Sequence, residues 1–421
     1  MTKIRERSTS AGARITQRQA TSFRLRRHYL TERAPRGQLL SVVDGMAGAQ
    51  AQVLGAARLS LWARLRDLDP EDVERALWRD RTLVRAWCMR RTLYLLPGGT
   101  VAIYVRGSAR RAEKEIRWAH NHGVSKRRLE RLLGGVLAAL DEPYTRSELA
   151  ERVGRSLGLP IRWAPGGGWG SDRPVPWLTL GGTSLPTHYL LHLAGARGVL
   201  CSGPTRGGEA TFVRADAWIP GWEDAPGARA EEELLRAYLR TFGPATLDDF
   251  RAWTGMRKVD ARGIWGRLEG ELTPIDVEGR ATWALRVDLS ELARSDGGPS
   301  SVRLLPYFDS FVLGHEDRTH LVRSGEVGHV YRPQGWVAPV VLIDGRVRGI
   351  WRHSLKGRDL SVRVEAFGPL GPEVRRAIRV EAEDLARFLG CSDAEVVLAR
   401  IAAGSRGATP ARRARELSSS P

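Results

Sequence analysis

Residues 246–285 read TLDDFRAWTGMRKVDARGIWGRLEGELTPIDVEGRATWAL. Thr246-Leu247-Asp248-Asp249 is a helix start, because a Thr side chain ahead of a helix accepts one of its orphan N–H groups. The helix it caps covers Phe250 to Thr254, and a second follows around Val259 to Leu268. Leu272 to Val277 and Arg280 to Leu285 then flank Glu278-Gly279, a pair suited to a tight hairpin turn. A further helix, near Ala230 to Thr241, precedes the whole stretch. Helix, turn, helix and two-stranded wing is the pattern of a winged-helix domain, whose helix usually enters the major groove.

The same pattern occurs twice more upstream. One copy has a helix near Ser125 to Leu140, a capping box at Thr145-Arg146-Ser147-Glu148, a helix from Thr187 to Ala194, and strands around Val199 to Cys201 and Ala210 to Arg214. The other has a long amphipathic stretch from Val53 to Leu68, an Asp69-Pro70 helix start, and alternating segments at Leu83 to Met89 and Thr92 to Leu96. From Ser301 to Ile350 the signals are mostly strands, including Val302 to Phe308, Phe311 to Leu313, Val337 to Ile343 and Val347 to Trp351, with a hairpin at Asp344-Gly345. A helix from Pro372 to Leu389 caps this part. The expected fold is therefore α+β, with tandem winged-helix domains and a β-rich C-terminal segment. The expected divisions are a basic arm at 1–36, winged helices at 37–124, 125–222 and 223–295, a β-rich segment at 296–399 and a disordered basic tail at 400–421. The Gly/Pro/Trp stretch from Gly154 to Pro186 reads as a long loop.

Composition narrows the functional classes. The 421 residues carry 66 Lys plus Arg against 48 Asp plus Glu, a net charge of +18. Residues 1–36 hold ten basic and two acidic side chains, and 400–421 hold five and one, so +12 of the +18 sits at the two ends. Such arms suit a polyanion partner. The apolar run Val337 to Ile343 has seven residues, too short for a membrane helix. No apolar segment near Met1 suggests a cleaved signal. Cys88, Cys201 and Cys391 are odd in number and dispersed, which suits a reducing cytoplasm and excludes a disulfide framework. Nothing in the sequence demands a dimer, so a monomer is expected.

Metal and cofactor chemistry find no support. His188 and His192 stand four apart, but no Glu sits beside His188 as a zinc-protease motif requires. Gly166-Gly167-Gly168 lacks the strand-to-helix setting of a phosphate cradle, and residues 203–208 lack the Lys-Ser/Thr end of a P-loop. Trp62, Trp78, Trp87, Trp118, Trp265 and Trp283 read as core, and Asp309 and Asp317 as structural acids able to pair with Arg318. The unusual feature is Gln50-Ala51-Gln52, just ahead of an apolar helix. In an extended conformation residues i and i+2 share a face. Two carboxamides then offer acceptors and donors without net charge, enough to orient a water but not to deprotonate it strongly.

With these segments in view, the chain resembles the AlkZ-like winged-helix DNA glycosylases, which carry a Gln–hydrophobic–Gln motif. Met89 to Pro97, Gly203 to Gly208, Tyr307 to Gly314 with Asp317-Arg318, and Val341 to Val347 are further family-like segments, and the resemblance spans about residues 36–390. Arg91 and Tyr94 depart from the Gly and His expected there. The resemblance implies a monofunctional DNA glycosylase with a concave DNA channel, acting on double-stranded DNA with bulky N7-alkylguanine or N3-alkyladenine adducts. It also implies self-resistance to a DNA-alkylating natural product. Gln50 and Gln52 would be catalytic; Arg90, Arg91, Arg206, Arg346 and Arg348 would contact DNA; no metal or cofactor is called for. Two other classes fit the pattern alone: a non-catalytic winged-helix transcription regulator, and an adduct-sequestering protein using the Trp-bearing stretch.

Overall fold

The computed structural model describes residues 13–165, 174–180, 182–295, 297 and 300–401. They form an α+β fold in which helices alternate with six small sheets of two to five strands. One connectivity recurs three times: helix, short strand, two helices, then a hairpin whose second strand pairs with the short strand.

In the first unit the helices are Leu39–Gly45, Leu54–Trp62 and Pro70–Glu74, the last continuing as a π-turn over Arg75–Arg79. The hairpin strands are Leu83–Trp87 and Leu93–Pro97, and Ala49–Gln50 pairs with the latter. The second unit has helices Lys126–Ala139, Arg146–Leu157 and Thr187–Ala196, with Tyr144–Thr145 on the strand Glu209–Arg214. The third has Gly227–Phe242, Leu247–Thr254 and Lys258–Arg267, with Ala245 bridged to Trp283 in the hairpin Leu272–Val277/Arg280–Leu285. Local chemistry sets these starts. Asp69, Thr145 and Thr246 each complete a capping box, and Pro70 occupies the first helical turn.

Several sequence expectations change. The helix expected over Val53 to Leu68 stops at Trp62. Beyond it Arg64 is fully buried against Asp309, and Leu65–Arg66 pairs with Ala34–Pro35. Asp309 thus pairs with Arg64 rather than Arg318, Asp317 takes Arg280 at 2.6 Å, and Arg318 lies over the Tyr331 ring. Phe311 to Leu313, expected as strand, belongs to a helical turn, Ser310–Leu313, capped by Asp309. The Gly154 to Pro186 stretch carries a three-stranded antiparallel sheet of Ile161–Ala164, Val175–Leu180 and Thr183–Pro186. Trp118, expected in the core, is 38% exposed. The Gly166-Gly167-Gly168 run and residues 402–421 of the basic tail lie outside the described residues.

Within the expected basic arm, residues 13–27 are folded onto the third unit, while Ala34–Pro35 joins the first unit through Leu65–Arg66. Ala13–Ile15 pairs in parallel with Leu272–Val277, and the helix Gln17–Arg27 follows. Arg24 is buried and donates to Phe242 O at 3.1 Å and Pro244 O at 2.6 Å. Arg27 pairs with Asp288 and Glu291. These cations therefore serve the protein's interior.

The C-terminal part is a five-stranded sheet ordered Val302–Leu305, Val340–Ile343, Arg346–Lys356, Asp359–Ala366, Asp393–Arg400, covered by the helix Pro372–Phe388. Its core is continuous with that of the first unit. The strand Leu93–Pro97 is buried throughout, and its residues serve different cores: Leu95 joins the core shared by the first unit and the C-terminal sheet, while Tyr94 and Leu96 join the core that includes the third unit's helices. A strand covered on both faces reads as a continuous apolar run.

The Arg64–Asp309 pair joins those two parts with two bonds of 2.8 Å, both side chains at 0% exposure. Removing one partner strands the other charge in low dielectric. Asp309→Ala is expected to cost about 3–5 kcal/mol, and Arg64→Met with Asp309→Leu to recover much of it; urea denaturation measures both. Burial also holds His28, His315 and His320 well below the usual imidazole range, helped at His28 by Arg64 and Arg24. The unfolded chain protonates these rings near pH ~6.5, whereas the folded chain resists. Their stability contribution is therefore full above pH ~6.5 and is lost as pH falls below it, by up to about 1.4 kcal/mol per pH unit for each ring. Denaturation midpoints between pH 8 and 5 check this, and His28→Leu should flatten the slope.

Candidate active site

Gln50 ends the short strand Ala49–Gln50, directly across from Tyr94. Two features before it fix its place. Gly48 has φ +86, and a Cβ there would come within 2.7 Å of Leu96. Ser310 donates its hydroxyl to Gly48 O at 2.7 Å. The ladder runs one residue further, with Ala51 N–H donating to Leu93 O at 2.7 Å. Leu93 N–H then donates to the side-chain Oε1 of Gln52, at 3.4 Å, and the helix Leu54–Trp62 begins. Both glutamines thus lie on one short segment that leaves the strand at Gln50 and bends at Gln52, separated by Ala51 at 0% exposure.

Gln50 is 9% exposed, and its carboxamide oxygen is buried without a hydrogen-bond partner among the described residues. A buried acceptor left open in this way is costly, on the order of 1–3 kcal/mol, and such groups mark ligand or water sites. No carboxylate hydrogen-bonds either glutamine among the described residues. The segment offers neutral amide groups and no strong base. Arg85, in the strand Leu83–Trp87, closes the segment from behind. Its Nε donates to Ala51 O at 3.0 Å, and its Nη2 to Gln52 O at 3.4 Å. Burial, with Arg58 nearby, pushes its guanidinium down to about 10. Sequence pattern drew no attention to Arg85; an arginine amid Leu83, Val84, Ala86 and Trp87 was the available signal.

The five arginines divide into different environments. Arg90 and Arg91 form the turn between Leu83–Trp87 and Leu93–Pro97, both left-handed at φ 53 and 61. The backbone at Arg91 thus keeps the conformation that favours glycine, the residue expected there. Arg90 turns inward, donating to Tyr94 Oη at 2.5 Å and Leu313 O at 3.2 Å. The Tyr94 phenol is buried, which raises its pKa. Arg91 is half exposed and paired with Glu115 at 2.5 Å. Arg206 pairs with Glu148 beside the second unit's hairpin. Arg346 and Arg348 follow the Asp344-Gly345 turn, whose φ values of 49 and 76 match a tight hairpin turn. Neither forms an ion pair among the described residues, and Arg346 is exposed. The fold therefore gathers Gln50, Gln52, Arg90 and Arg91 around the strand Leu93–Pro97, with Arg206 and the Arg346/Arg348 pair on other elements. His192, one of the two histidines four apart, packs against Trp87.

Comparison with known proteins gives this arrangement a context. The family described as DNA glycosylase AlkZ-like matches residues 43–388, a span that includes the glutamine segment and most of the C-terminal sheet. A Streptomyces sahachiroi protein named interstrand DNA cross-link repair glycosylase is 32% identical over 387 residues, covering 89% of this chain and 97% of the relative. The solved structure of Streptomyces sahachiroi DNA glycosylase AlkZ is similar, with a TM-score of 0.73 at 28% identity, over 91% of this chain and 100% of that one. Among the described residues no helix is long and apolar enough to cross a membrane. The chain is an enzyme acting on DNA N-glycosyl bonds, and it belongs to the AlkZ-like DNA glycosylase family.

Proposed function

We propose that this glycosylase is monofunctional and removes bulky N7-alkylguanine or N3-alkyladenine adducts from double-stranded DNA, as self-resistance to a DNA-alkylating natural product. The observation that carries the reading is the buried carboxamide oxygen of Gln50, without a hydrogen-bond partner among the described residues, two positions before Gln52 on one short segment. A purine alkylated at N7 or N3 already bears positive charge, so its glycosidic bond is weak and the base leaves without a general acid. What remains is to bring a water to C1′ and to stabilise a cationic, oxocarbenium-like sugar. Gln50 Oε1 accepts a hydrogen bond from the water and turns the water's lone pair toward the sugar, and the proton lost as the C1′–O bond forms passes to solvent. The second lone pair of Gln52 Oε1 assists. Fixed carbonyl dipoles of this kind stabilise developing positive charge at no cost of reorganisation. Proximity supplies much of the remaining acceleration.

In this reading the three repeated units are tandem winged helices lining a concave DNA channel, with boundaries near 37–124, 125–222 and 223–295. A bulky adduct resists extrusion into a small pocket. The lesion then stays largely within the duplex, and DNA is gripped from outside. Arg346 and Arg348 are the best-suited grips, being free of carboxylates among the described residues. Arg91 and Arg206 reach phosphate by exchanging their partners Glu115 and Glu148. Arg90 acts on the DNA surface indirectly, by bracing Tyr94 and the turn. The enzyme works as a monomer in the cytoplasm.

Gln50→Ala and Gln52→Ala are each expected to slow single-turnover base release about 10²- to 10³-fold, with DNA affinity nearly unchanged. Release is measured on a nitrogen-mustard-treated duplex, scored as free N7-alkylguanine and abasic sites. Wild-type rates in both variants would remove the catalytic role. Arg346→Ala with Arg348→Ala should weaken binding on any sequence and reduce the slope of log affinity against log salt by about 1 per lost contact. An unchanged slope would take them off the DNA surface.

A further inference from the structure

We infer that Arg85 is a positioning residue of the glycosylase reaction, clamping the main chain of Gln50-Ala51-Gln52 so that the two carboxamides share one water. The inference rests on the catalytic reading of the glutamines given above.

Arg85 stands at the centre of Leu83–Trp87, between buried apolar neighbours on both sides. A guanidinium in that position carries a desolvation cost and is ordinarily met by a carboxylate. Here, among the described residues, no carboxylate pairs with it; the nearby Arg58 takes Glu74 instead. Its hydrogen bonds go to Ala51 O and Gln52 O, two carbonyls on the segment that holds the glutamines. These carbonyls sit where the ladder with Leu93–Pro97 has ended and the helix Leu54–Trp62 has not begun. Neither strand nor helix fixes them. The planar fork of an arginine reaches two acceptors at once, and lysine, a point donor, holds only one firmly. The segment is thus pinned on one side by Leu93, through Ala51 N–H and Gln52 Oε1, and on the other by Arg85. The peptide planes on either side of Gln52 cannot rotate without breaking a bond to Arg85. Rotation there would swing the Gln52 carboxamide off Leu93 N–H and away from Gln50. Burial depresses the guanidinium only to about 10, so it stays charged at neutral pH and keeps its donors.

The test compares wild type, Arg85→Met, Arg85→Lys and Gln52→Ala on the same mustard-treated duplex. It separates the single-turnover excision rate at saturating enzyme from DNA affinity by fluorescence anisotropy. Arg85→Met is expected to lose about 30-fold or more in rate, within the range that misplacement of reacting groups produces. Arg85→Lys is expected to recover part of that loss, and both should keep affinity within about threefold, less than one lost phosphate contact costs. A rate within twofold of wild type for Arg85→Met, with Gln52→Ala inactive, overturns the proposal. So does a loss confined to affinity, which assigns Arg85 to the DNA backbone instead. Lack of any rescue by lysine also overturns it. If Arg85→Met fails to fold, Arg85→Lys decides: a rate at least twofold below wild type at unchanged affinity supports the clamp, and a wild-type rate rejects it. Wild-type excision by Gln52→Ala and Gln50→Ala would instead overturn the catalytic reading itself.

Discussion

A guanidinium and a carboxylate wholly removed from water hold the first unit to the C-terminal sheet. Arg64 and Asp309 meet through two 2.8 Å bonds, and Asp309 also caps the turn that carries Ser310. Ser310 in turn holds Gly48, the residue that delivers the chain into Ala49–Gln50. The position of the glutamine segment therefore follows from an ion pair whose partners are 245 residues apart in sequence. The pair's worth lies in geometry. Burying two charges brings little net stability over apolar residues, but separating them once buried is expensive.

The same principle organises much of the protein's positive charge. Arg24 serves two carbonyls at the end of the third unit's first helix, Arg27 serves two acids, and Arg90 braces Tyr94 and Leu313. Net charge thus overstates what is available to a phosphate backbone. The arginines left for a polyanion are those on exposed turns and hairpins, where desolvation costs little and counterion release contributes to binding.

At the glutamine segment the chemistry suits the substrate class proposed above. Enzymes that cleave stable bonds tune acids and bases by burial and charge. Here the open acceptor of Gln50 and the shared acceptor of Gln52 are neutral, and the cation behind them is occupied with main-chain carbonyls. Such a site is competent where the leaving base is already cationic and water needs direction more than activation.

The sequence by itself determined the local starts and turns: the capping boxes at Asp69, Thr145 and Thr246, the Glu278-Gly279 and Asp344-Gly345 hairpins, and the helix from Pro372. Each depends on side chains and backbone within a few residues, so its signal is short-range. The repeated pattern and the Gln50-Ala51-Gln52 motif were legible for the same reason, and the motif's resemblance to a known family gave it meaning. Only the tertiary structure decided where the helix after Val53 stops, that Phe311 lies in a helical turn, that residues 13–27 pack on the third unit, and that the Gln50 carboxamide oxygen meets no partner among the described residues. Arg85's grip on Ala51 and Gln52 belongs here too, across 33 or 34 residues. These outcomes depend on which buried charge or carbonyl finds a partner. A chain can satisfy a desolvated group only with what the fold brings beside it, and sequence spacing does not encode that distance.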